Sequence, residues 1–68
     1  MTIDNIEELL KQWNVPHSKE YNFVRVFGIY NGYSIVRFNA DDYQNPVEID
    51  GKICSLSEFE TWIFENCK

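Results

Sequence analysis

The sequence predicts a single compact α+β domain over residues 1–68, with a helix, an antiparallel β-hairpin, one or two short strands and a closing helix. Both helices are expected mainly on one face of a three- to four-stranded antiparallel sheet. Three observations carry this expectation. An apolar stripe at helical spacing opens the chain, Asn31-Gly32 stands between two strongly apolar runs, and Ser55-Leu56-Ser57-Glu58 marks a second helix start.

Ile3, Ile6, Leu9, Leu10 and Trp13 recur at helical spacing. Asp4 followed by Glu7 resembles a capping box, with Thr2 as the competing cap. Asn14 and Pro16 end the segment, because a residue before proline is pushed out of the α region. The spacing thus predicts a helix over about residues 3–14. Residues 15–20 read as a connector containing His17, the only histidine, expected to be solvated.

Tyr21 to Phe38 reads as the central hairpin. Asn-Gly tolerates the positive φ angles of a tight two-residue turn. Closure on that turn sets Tyr30 against Tyr33, Ile29 against Ser34, Phe27 against Val36 and Val26 against Arg37. Since faces alternate along a strand, Phe23, Arg25, Phe27, Ile29, Ser34, Val36 and Phe38 are expected in the core. Val24, Val26, Gly28, Tyr30, Tyr33, Ile35 and Arg37 then form a mixed face, expected to be largely open. A slip of one residue would exchange the faces.

Residues 39–46 form a polar loop in which Asp41, Asp42 and Asn45 lack the spacing and central Gly of a calcium-binding EF-hand loop. The same loop offers acids beside an aromatic, Tyr43. Val47-Glu48-Ile49 reads as a short strand, Asp50-Gly51 as a second tight turn, and Lys52-Ile53-Cys54 as a short return strand. In the last helix Leu56, Phe59, Ile63 and Cys67 make the central apolar stripe. Trp62 and Phe64 widen it, while Glu58, Thr61 and Glu65 line the polar side.

Eleven acids against six bases give a formal charge of −5. Direct binding to nucleic acid needs a positive surface that displaces counterions, so no such partner is expected. An acidic surface favours a basic protein partner instead. No apolar run approaches the ~20 residues of a membrane span. The acidic N-terminus lacks the basic-then-apolar pattern of a signal peptide. Cys54 and Cys67 bracket one helix, which sets them roughly 18 Å apart at ~1.5 Å per residue, too far for a disulfide. They read as free thiols in a reducing cytoplasm.

Catalytic signatures do not emerge. One imidazole, two cysteines and no Gly-rich phosphate loop predict no catalytic residues, no metal site, no cofactor and no enzymatic activity. The expectation is a small protein-binding module that occupies a partner's surface. The contact residues are expected to be Tyr30, Tyr33, Ile35, Arg37, Asp41, Asp42, Tyr43 and Glu48. By analogy of size and charge alone, such a module suits a phage or mobile-element inhibitor of a basic, nucleic-acid-binding host protein. Two alternatives are a homodimeric assembly subunit joined through the sheet face, and a nucleic-acid mimic.

Overall fold

The computed structural model describes residues 2–29 and 32–66. Two helices and five strands follow the chain as α1 (Ile3–Gln12), β1 (His17–Lys19), β2 (Val24–Ile29), β3 (Gly32–Phe38), β4 (Val47–Ile49), β5 (Lys52–Cys54) and α2 (Leu56–Asn66). The strands form one antiparallel sheet in chain order, β1-β2-β3-β4-β5. The result is the α+β domain expected, with one strand more than anticipated.

That strand, β1, lies in the segment read as a connector. It carries no long apolar side chain, so no alternation announces it. Pairing with β2 through His17–Val26, Ser18–Arg25 and Lys19–Val24 makes it a strand. His17 and Lys19 thereby point to the face covered by α1. His17 is correspondingly half-buried, where solvent exposure was expected. Its Nδ1–H donates to the Val15 carbonyl at 2.8 Å, and its Nε2 lies 3.2 Å from Glu7 Oε2. Lys19 pairs with Asp4, which raises the lysine pKa chiefly through that hydrogen bond.

Helix α1 starts on Thr2, not on Asp4: the Asn5 side chain reaches back to accept the Thr2 N–H at 2.8 Å. It ends at Gln12, two residues early, because Asn14 takes a left-handed φ of 55°. The Asn14 N–H donates to Lys11 O and the Val15 N–H to Leu10 O, the paired bonds of a Schellman ending. Val15 is thus turned into the core beside Leu10. At the other end of the chain, α2 opens on its expected box, with Glu58 accepting the Ser55 N–H at 2.8 Å and Ser55 Oγ accepting the Glu58 N–H at 3.2 Å.

The hairpin differs most from expectation. Ile29 pairs with Gly32, so the connection falls on residues 30 and 31, one position earlier than the Asn31-Gly32 turn. Tyr30 and Asn31 lie outside the described residues. Below the tip, Val26 pairs with Ser34, three residues from the expected Arg37. Between these two pairs Phe27 and Gly28 together oppose Tyr33, a β-bulge with Gly28 at φ 79°. Moving the turn by one residue preserves facing parity, but the extra residue of the bulge inverts it for the rest of β2. Val24 and Val26 are therefore fully buried, while Phe23, Arg25 and Phe27 join the opposite face. Strand β3 keeps the expected assignment, with Ser34 and Val36 inside and Phe38 packed against the core.

The core collects Ile6 and Leu10 of α1, Phe59 and Ile63 of α2, and Val24, Val26, Val36, Val47, Ile49 and Cys54 of the sheet. In register these sheet residues share one face. Both helices therefore cover the same side, α1 over the β1–β3 part and α2 over the β4–β5 end. Trp13 and Phe64 meet edge-on at 6.3 Å, joining the C-terminal ends of the two helices. The opposite face of the sheet has no cover among the described residues.

Candidate functional site: the open sheet face

Every second residue of the central strands points to the uncovered face. Arg25 of β2 pairs with Ser18 and Ile35, and Arg37 of β3 with Glu48, which pairs with Ile53. Phe27 and Tyr33 extend this surface toward the hairpin tip with rings 6.2 Å apart. Tyr33 near the hairpin tip is 55% exposed, and Ile53 on the edge strand β5 45%. Phe23 sits where the two arginines converge. Their guanidinium carbons lie 5.7 and 5.8 Å from its ring centre, and Arg25 also lies 5.4 Å from the Tyr33 ring. Stacking on rings at these distances is a cation–π arrangement.

Each arginine has one nearby acid. Arg25 Nη1 is 3.9 Å from Glu20 Oε2, which also accepts from Ser18 Oγ at 3.0 Å. Arg37 Nη1 is 3.6 Å from Glu48 Oε2. The two arginines of the chain and these two glutamates make the face electrically balanced, although the chain as a whole is acidic.

Of the expected contact residues, Tyr33, Ile35, Arg37 and Glu48 come together on this face. Tyr30 falls outside the described residues. Asp41, Asp42 and Tyr43 lie on the β3–β4 loop, at the end of the sheet away from the hairpin tip. Within that loop Asp42 accepts the Gln44 N–H at 3.0 Å and the Asn45 side-chain amide at 2.9 Å. The Asn45 bond, followed by the Gln44 bond, lowers the Asp42 pKa. Its carboxylate is thus a brace for the loop, while Tyr43 stands 88% exposed beside it. Asp50 is likewise structural: it accepts the Ile35 N–H at 2.9 Å and donates its own N–H to Ile35 O.

Sequence reasoning missed Phe23, Arg25, Phe27 and Ile53. The signal for the first three was Gly28, since an isolated glycine within a strand pattern marks a bulge.

A groove of about 510 Å³ lies on the other side, between the β4–β5 hairpin and α2, lined in part by Lys52, Cys54, Glu58 and Trp62. Burial pushes the Cys54 thiol pKa up, with nearby Glu58 adding to it, which makes the sulfur a poor nucleophile. Thr61 Oγ donates to Ser57 O along the helix. Among the described residues no three His, Cys, Asp or Glu side chains cluster to hold a metal, and no helix is long and apolar enough to cross a membrane. No protein-family model matches the chain, and no curated protein or solved structure matches it either.

Proposed function

We propose that this chain is a small protein-binding module that acts by occupying a partner's surface through its open sheet face. The observation that carries this reading is the placement of both helices on one side of the sheet. That placement leaves Phe27, Tyr33 and Ile53 exposed beside two ring-stacked arginines. Large apolar side chains exposed on an uncovered sheet face are costly to leave in water and mark an interaction site. Tyrosine and arginine are also enriched where interface energy concentrates.

The partner we favour carries net positive charge. The chain's −5 supports this, and an acidic body speeds encounter with a basic one. A basic protein that handles nucleic acid has such a surface, and covering it would inhibit that protein.

The test compares wild type with the Tyr33→Ser/Ile53→Ser double variant. Both side chains are about half exposed, so circular dichroism and melting behaviour stay close to wild type. Capture of the partner from nuclease-treated lysate of the source cell falls at least about tenfold, the loss expected when interface anchors are truncated. A folded double variant with undiminished capture would overturn the reading. A second reading, a homodimer through the same face, is favoured by its equal share of both charge signs, which suits a two-fold contact. Twice the monomer mass in solution, lost in the double variant, would establish it.

A further inference from the structure

We infer that the open face contains a carboxylate clamp, formed by Arg25 and Arg37 over the Phe23 ring, which receives an acidic segment of the protein partner. The inference rests on the reading of the open face as a contact surface, and adds the local chemistry of what it contacts.

An arginine presents five N–H donors in a rigid planar fork that matches a carboxylate bidentately. Among the described residues neither guanidinium makes a hydrogen bond. The nearest acid oxygens stand at 3.9 Å for Arg25 and 3.6 Å for Arg37, beyond hydrogen-bond length. Arg25 Nε is moreover buried without a partner, which costs free energy and leaves the outer guanidinium nitrogens as the donors open to an acceptor. Both forks are held on one ring, Phe23, and Arg25 also on Tyr33. Contact with the rings restricts both side chains in advance, so less side-chain freedom is lost when an acceptor binds. Two forks sharing a ring can be met by two acids of one short segment.

The same donors would suit phosphates, but the surroundings favour an isolated pair of carboxylates. A nucleic-acid strand brings a phosphate at every residue, and Glu20, Glu48 and the chain's net charge of −5 oppose that run of charge. Two carboxylates bring only two charges, and they take the places of Glu20 and Glu48 beside the two guanidinium groups.

The experiment is an NMR titration of the full chain with the capped dipeptide Ac-Glu-Glu-NH2, with Ac-Gln-Gln-NH2 and a thymidine oligonucleotide as comparisons. The expected result is a saturable shift of the Arg25 and Arg37 side-chain N–H and Phe23 ring signals with the diglutamate only. Arg37→Gln and Arg37→Lys each weaken that response at least threefold, Lys because it keeps the charge and loses the fork. Arg37 is half-exposed, so these variants remain folded even where an Arg25 variant does not. An equal response to the diglutamine, shifts confined to lysines, or tighter binding of the oligonucleotide would each overturn the clamp. The two proposals fail separately. Loss of capture in Tyr33→Ser/Ile53→Ser with no diglutamate response removes the clamp and keeps the face. A diglutamate response with undiminished capture removes the face as the partner site, and with it the assignment of the clamp to a partner segment, leaving a carboxylate-binding arginine pair alone.

Discussion

At the scale of single residues, Gly28 decides which side chains this protein shows to solvent. Its φ of 79° lets Phe27 and Gly28 share one place opposite Tyr33. Below that point β2 is turned over, so Val24 and Val26 enter the core while Arg25 reaches the open face. A side chain at this backbone conformation costs about 1–2 kcal/mol, more for a β-branched one. Gly28→Val should therefore destabilise the fold by roughly 2 kcal/mol, read as a lower urea midpoint with an unchanged slope. Unchanged stability would mean that the bulge does not depend on glycine. The Asn31-Gly32 pair was the louder sequence signal and set a register by itself. The quieter glycine three residues upstream altered parity, and with it half of the site.

Among the elements, those specified by their own residues were legible and those specified by neighbours were not. Helix α2 opens on a box written wholly within Ser55–Glu58, and the Asp50-Gly51 turn adopts the two positive φ angles its residues suggest, 50° and 88°. By contrast, α1 offered two overlapping boxes. The Asp4 and Glu7 pair was drawn off by Lys19 and His17 of β1, contacts that no local pattern reveals. Strand β1 was invisible for the same reason. The box of α2 can be checked directly. Ser55→Ala removes the acceptor for the Glu58 N–H and should cost about 1 kcal/mol. The Glu58 carboxylate has its pKa lowered first by the Ser55 backbone hydrogen bond and then by the Ser55 side chain. A lowered folded pKa means the unfolded chain takes up a proton at higher pH than the folded one. The Glu58 contribution is then complete above the ordinary glutamate value of about 4.3, and is lost as pH falls through the lowered folded value. The stability gap between wild type and Glu58→Ala should stay constant from neutral pH to about 5 and close below about 4. A gap that persists unchanged in acid would show that Glu58 acts through packing instead of charge.

Over the whole molecule, charge is sorted by side. The ion pairs among the described residues lie within α1, tie α1 to β1 or lie on the open face. Glu8 of α1 and Glu58, Glu60 and Glu65 of α2, with Asp41, Asp42 and Asp50, have no cationic partner within that set. The surplus negative charge thus sits on the two helices and the loops, while the proposed contact surface is balanced. Long-range attraction and short-range contact then belong to different residues, and binding kinetics can separate them. Exposed charges act over a screening length of about 10 Å at 0.1 M salt, and such charges govern encounter more than residence. For the captured partner, raising salt from about 50 to 200 mM should slow association several-fold and leave dissociation nearly unchanged. Replacing Glu60 and Glu65 with Gln should flatten the association-rate dependence without altering dissociation. Arg37→Gln should do the opposite, speeding dissociation while the salt response of association persists. If salt or the α2 substitutions instead accelerate dissociation, the acids make the contact themselves, and the interface lies on the helical side of the sheet.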